Sequence, residues 1–117
     1  MEFGSVCILT NDAPSLACFY AEILRKEPYV EGSHYGFGES RLAVYDPGGV
    51  VVPENKNMSL IFFTADLDAE YERIKNINGA TITSPPQRRP WGAYSFWLTD
   101  PDGNTVSVAE NKKGESE

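Results

Sequence analysis

Two stretches of this chain carry the same turn chemistry, Asp46-Pro47-Gly48-Gly49 and Asp100-Pro101-Asp102-Gly103. In each, the aspartate can bond the backbone ahead of it, proline presets φ, and glycine tolerates φ > 0. They lie 54 positions apart (100 − 46), and the same offset relates Ser5 to Ser59, Asp12 to Asp66 and Gly38 to Gly92. A constant offset reads as one module written twice, which constrains the fold before any single element does. Around the second turn, aromatic and β-branched residues alternate from Pro90 to Glu110, the pattern of a β-hairpin.

The chain has 117 residues, so each module has only about half a domain's length. Units near ~55 residues are marginal alone, so the halves are expected to share a core or to pair with another chain. A composition 41% hydrophobic and 23% charged is ordinary for a globular protein. The net charge of −7 argues against nucleic acid and anionic membrane as partners, since both select basic surfaces. No apolar run is long enough to span a membrane, and no signal-peptide pattern opens the chain, so the cytoplasm is the expected location. Cys7 and Cys18 have no CxxC partner and read as two reduced, packed thiols.

In chain order, residues 3–10 read as a strand. Asn11 or Asp12 caps a helix with Pro14 in its first turn, and Leu16, Phe19, Tyr20, Ile23 and Leu24 form its apolar face. Pro28 ends it. Residues 29–45 read as two short strands around Gly32–Gly38, the second being Arg41 to Tyr45, and Val50 to Val52 as the module's last strand. Glu54 to Asn57 is the expected link. Met58 to Thr64 is then a strand, and Asp66 caps a helix with the stripe Leu67, Tyr71 and Ile74, closed by Asn78-Gly79. Thr81 to Thr83 is a short strand, and Ser84 to Pro90 a proline-rich loop whose Arg88 and Arg89 read as surface. Asn111 to Glu117 is a charged tail. The expected fold is α+β: two βαβββ modules, residues 1–54 and 58–110 of a single domain, forming a curved mixed sheet with a concave trough.

Asp12 with Phe19-Tyr20 and Leu24, Asp66-Leu67-Asp68-Ala69, and Pro90-Trp91-Gly92 with Asp100-Pro101-Asp102-Gly103-Asn104 together span nearly the whole chain. Their order resembles the vicinal oxygen chelate superfamily: glyoxalase I, bleomycin-resistance proteins and extradiol dioxygenases. The resemblance implies a divalent metal in the trough, held by one ligand near the start of each module's first strand and one on its last, usually histidine and glutamate. Those positions read Ser5, Ser59, Ser107 and, by the 54-residue offset, Pro53. Serine hydroxyls and a proline are not the imidazole or carboxylate donors that such an ion needs. No metal or other cofactor is therefore expected.

Strand alternation instead turns Ser5, Cys7, Leu9, Ser59, Ile61, Phe63, Thr105 and Ser107 into the trough. Arg41, Ala43 and Tyr45 join them, with Ser95 and Trp97 as mates of Arg41 and Ala43 in the second module. Such aromatic walls with a few placed polar groups suit a small organic ligand. The expected ligand-binding set is Trp97, Phe63, Tyr45, Arg41, Ser5, Ser59, Ser107, Ile61 and Cys7, with Trp97 in the trough and Trp91 covering a sheet edge. The function so read is metal-free binding or sequestration of a small, partly aromatic molecule by a homodimer. The alternative is a lyase, isomerase or dioxygenase-type enzyme, with a non-standard metal site or with acid–base catalysis by His34, Tyr45 or Glu54.

Overall fold

The computed structural model describes residues 1–49 and 57–111. The chain divides into two compact units, Met1–Pro53 and Glu54–Glu117.

The first unit runs β1 (Val6–Leu9), α1 (Ala13–Leu24), β2 (Tyr29–Glu31), β3 (His34–Phe37) and β4 (Leu42–Tyr45), with a 3₁₀ turn at Gly38–Ser40. The second runs β5 (Ser59–Thr64), α2 (Leu67–Ile74), β6 (Thr81–Arg88), β7 (Tyr94–Thr99) and β8 (Thr105–Glu110). The sheet orders are β1-β4-β3-β2 and β5-β8-β7-β6. In each, the first strand pairs parallel with the last and the other pairs are antiparallel, giving two mixed four-stranded sheets of the expected α+β class. Val50 to Val52 lies outside the described residues, and the first unit already has its four strands by Tyr45.

Both helices begin as their caps dictate. Asp12 Oδ1 accepts from Ser15 N at 3.2 Å, and Asp66 Oδ1 from Ala69 N at 3.1 Å. On α1, Leu16, Phe19, Tyr20 and Ile23 are buried, with Phe19 and Tyr20 edge to face at 5.1 Å. On α2, Leu67 and Ile74 are buried and Tyr71 meets Phe96 edge to face at 5.2 Å. One face of each sheet is thus fixed as the helix side, where Phe96, Leu98, Val106 and Val108 are buried in the second unit. The helix ends differ from expectation. Left-handed Arg25 closes α1 before Pro28, and α2 stops at Ile74, short of Gly79.

The repeat is real but its register is not constant. One lateral row of the first sheet reads Cys7–Ala43–Gly36–Tyr29, and the matching row of the second reads Ile61–Ser107–Trp97–Ser84. The offset is therefore 54 on the first strand (61 − 7), 55 on the second (84 − 29), 61 on the third (97 − 36) and 64 on the fourth (107 − 43). The two Asp-Pro turns do not correspond. Asp100 opens the β7–β8 connection, whereas Asp46 follows the finished β4. They look alike because the same local chemistry closes both. Asp46 Oδ1 accepts from Gly48 N at 2.9 Å, and Asp100 Oδ1 from Asp102 N at 2.9 Å and Asn104 N at 2.8 Å. Nor do Gly38 and Gly92 correspond, since the first begins the β3–β4 turn and the second lies between β6 and β7.

Two other expectations give way. Residues 29–45 hold three strands rather than two, because Gly32 at φ 61° turns β2 directly into β3. Ser84 to Arg88 belongs to β6 and is not a loop. Pro85 and Pro86 are tolerated there because β6 is an edge strand and its register shifts on either side of Ser84.

Candidate functional site

In the second unit, the row Ile61–Ser107–Trp97–Ser84 lies on the sheet face turned away from α2, since the alternating Phe96 and Leu98 pack on the helix side. Ser59 beside Thr105, and Phe63 beside Ala109 and Ser95, extend that far face. Ile61 and Phe63 are 59% and 60% exposed, so this face presents apolar surface to its surroundings. Among the described residues, Ser59 Oγ makes one long contact, 3.4 Å, to Leu60 O.

The dominant feature of the face was not legible in the sequence. Arg89, expected at the surface, is 7% exposed. Its guanidinium lies over the Trp97 ring, 3.9 Å from the centroid. Nε donates to Ser95 Oγ at 2.9 Å, Nη2 to Ser95 O at 3.1 Å and Nη1 to Ser84 Oγ at 3.1 Å. Arg89 reaches this position from the longer β6–β7 connection, where Gly92 N donates to Arg89 O at 2.9 Å and Arg89 N to Ala93 O at 2.7 Å. Beyond periodicity, the usable signal was Ser84, Ser95 and Trp97 on one face beside a basic pair.

Arg88 stays outside, donating to Gly92 O at 2.9 Å and lying 5.4 Å from the Tyr94 ring. Trp91, expected to cover a sheet edge, is 70% exposed. With Phe63, Arg88, Tyr94 and Glu110 it lines a cavity of about 280 Å³. Glu110 is half-buried and caps α2, accepting from Leu67 N at 3.0 Å. Asp68 accepts from the Tyr94 hydroxyl at 2.7 Å, and that bond holds the phenol above its ordinary pKa.

In the first unit, Cys7, Leu9 and Tyr45 share the corresponding far face, and Ser5 precedes β1 as an exposed residue. Partial desolvation of the otherwise exposed Cys7 raises its thiol, which is the opposite of nucleophilic activation. His34 pairs across the strands with Tyr45, their rings 6.0 Å apart. Its ring lies along Gly36, where an added Cβ would sit 3.6 Å from His34 Cε1. By register Gly36 is the counterpart of Trp97, and His34 of Ser95, so Ala43 and Arg41 are not their mates. Arg41 is not a strand residue at all. It is an exposed, left-handed turn residue at φ 55°, ahead of β4. A separate groove of about 400 Å³ lies on the helix side of this unit, lined chiefly by Pro14, Ala17, Cys18, Ala21, Val30 and Tyr35. Cys7 and Cys18 are both free thiols, but both are exposed rather than packed as the sequence suggested.

The register also corrects the fourth metal position. The counterpart of Ser107 is Ala43, and Pro53, like Glu54, lies outside the described residues. The first unit thus offers Ser5 and Ala43 and the second Ser59 and Ser107, a donor set that does not fit a divalent ion. Among the described residues, no group of three or more His, Cys, Asp or Glu is placed to hold one.

The Glyoxalase/Bleomycin resistance protein/Dioxygenase superfamily profile matches residues 2–108. The uncharacterized protein YetH of Bacillus subtilis is 25% identical over 120 residues, covering 93% of this chain and 98% of that one. Among solved structures, a protein of unknown function from Agrobacterium tumefaciens superposes with a TM-score of 0.81 at 24% identity, covering 96% of this chain and 95% of that one. A glyoxalase/bleomycin resistance protein from Albidiferax ferrireducens gives a TM-score of 0.80 at 22% identity, covering 94% and 98%. These structural likenesses bear on the fold; the family match bears on descent. By that match, the chain belongs to the glyoxalase/bleomycin resistance protein/dioxygenase superfamily.

Proposed function

We propose that this protein binds a small, partly aromatic molecule without a metal, and that the ligand rests on the far face of the second unit. The observation that carries this reading is the row Ile61–Ser107–Trp97, with exposed Phe63 beside it, where apolar area and hydroxyls alternate. Small-molecule sites have this makeup, mostly apolar with a few polar groups that fix orientation. Trp97 and Phe63 supply aromatic contact, and Ser59 and Ser107 supply hydrogen bonds. The first unit's own far face offers a separate set of candidate contacts in Cys7 and Tyr45, with Ser5 ahead of β1 and Arg41 ahead of β4. Binding by this means serves sequestration or carriage, and it asks nothing of the absent imidazole and carboxylate donors.

The same reading includes a homodimer. Leu9, Tyr29, Ile61, Phe63 and Trp91 are all at least half exposed, apolar area that a second copy of the chain would cover. A reducing, cytoplasmic setting suits the two free thiols. The test is a thermal-shift and fluorescence screen of small aromatic compounds on chelator-treated protein, repeated with Trp97→Ala. Saturable binding that weakens at least about tenfold in the variant supports the proposal, since a lost aromatic contact and its burial exceed the ~1.4 kcal/mol this represents. Binding that appears only after a divalent metal is added contradicts it.

A further inference from the structure

Arg89 is a buried cation held by neutral groups. Its three hydrogen-bond acceptors are two serine hydroxyls and one backbone carbonyl, all neutral. Among the described residues, no carboxylate forms an ion pair with Arg89. The indole beneath it offers a π face but no negative charge. Removing a guanidinium from water is costly unless an anion compensates it. The absence is conspicuous in a chain of net charge −7, which has acidic residues to spare.

The remaining hydrogen-bonding capacity is specific. A guanidinium has five N–H donors, and three are engaged among the described residues. One N–H is left on Nη1 and one on Nη2. Two donors on one planar cation match the two oxygens of a carboxylate. The segment that delivers Arg89 has no counterpart in the first unit, where only Gly32 and Ser33 join β2 to β3. The extra length in the second unit therefore places a cation over Trp97, on the sheet face that also carries Ser107.

We infer that Arg89 is the anion-recognition residue of the ligand site and that the ligand is a small aromatic carboxylate. This rests on the binding site proposed above and adds the ligand's chemical class. The carboxylate takes the two remaining N–H groups of Arg89, and its ring lies along the apolar residues of the same face. Ser84 and Ser95 position the guanidinium and do not recognise the ligand. Trp97 serves twice, stacking under Arg89 and bordering the ligand.

The experiment titrates benzoate, phenylacetate and cinnamate, each beside its neutral amide, into full-length protein carrying Trp91→Phe, so that Trp97 is the fluorescent reporter. The inference expects saturable binding of at least one acid, with its amide at least about tenfold weaker, since hydrogen bonds to an ionised acceptor are roughly twice as strong as neutral ones. Arg89→Gln should remove the acid-over-amide preference, and Arg89→Lys should restore part of it. An acid and amide that bind equally overturn the carboxylate assignment while leaving the proposed site standing. Binding of neither by any pair overturns both. If Arg89→Gln does not fold, Ser84→Ala decides. It loosens the guanidinium while retaining its charge and should lower the acid preference; an unchanged preference reduces Arg89 to a structural clamp on Trp97.

Discussion

Trp91 and Trp97 have opposite surroundings, and the difference follows from strand alternation. Trp97 sits within β7, and the pleat turns it away from α2 while Phe96 goes beneath it. That parity could be read from the sequence, because Phe96 and Leu98 alternate with Ser95 and Trp97 up to an aspartate-proline turn. The place of Trp91 could not, because it lies in a connection where no periodicity applies. At 70% exposure it has little packing to lose. Trp91→Ala should change stability by no more than about 0.5 kcal/mol, measured as the urea midpoint, in contrast to its expected structural role. Asp100 is the opposite case. It is buried and accepts from Asp102 N, Asn104 N and Asn104 Nδ2. Asp100→Ala should cost about 1–3 kcal/mol in the same measurement, because it leaves those donors without their acceptor. Arg89 was illegible for a related reason. Its partners come from β6 and β7, and its burial is decided by a stack that local sequence does not encode.

At the scale of elements, the caps and helix stripes were legible and the strand correspondence was not. An aspartate followed three residues later by a free backbone N–H announces a helix start at Asp12 and at Asp66 alike. The Asp-Pro turns misled because such a turn is closed by its own side chain, whatever strands it joins. Only pairing across the sheet reveals that the first unit's β4 matches β8, with a 64-residue offset. β6 was hidden by Pro85 and Pro86, residues that exclude a central strand but not an edge. Glu110 ties the last strand to the second helix through Leu67 N. Glu110→Ala should therefore destabilise α2 by about 0.5–2 kcal/mol, the usual cost of a lost N-terminal acceptor. Faster amide exchange at Leu67 and along the first turn of α2 would register it; exchange no different from wild type would show that Asp66 suffices alone.

At the scale of the molecule, each unit has a helix on one sheet face and edge strands at β1 and β2 or β5 and β6. Exposed edges and exposed apolar residues are features that proteins usually cover. Sedimentation velocity at about ten micromolar is expected to show a dimer; a monomer across that range would remove the homodimer from the account. The family assignment itself was legible because its motifs are spread along the chain, whereas the ligand is not written in any motif. Its character has to come from side chains that the fold gathers: Trp97, Ser107, Ile61 and Phe63 on one face.

The most direct measurement is a map of backbone amide shifts, by ¹H–¹⁵N NMR, as a pool of small aromatic compounds is added to chelator-treated protein. The account predicts saturable shifts at Ile61, Trp97 and Ser107, unchanged in position when zinc or manganese is then supplied. Shifts confined to the Cys18 groove of the first unit, shifts that require the metal, or no shifts at all would contradict it.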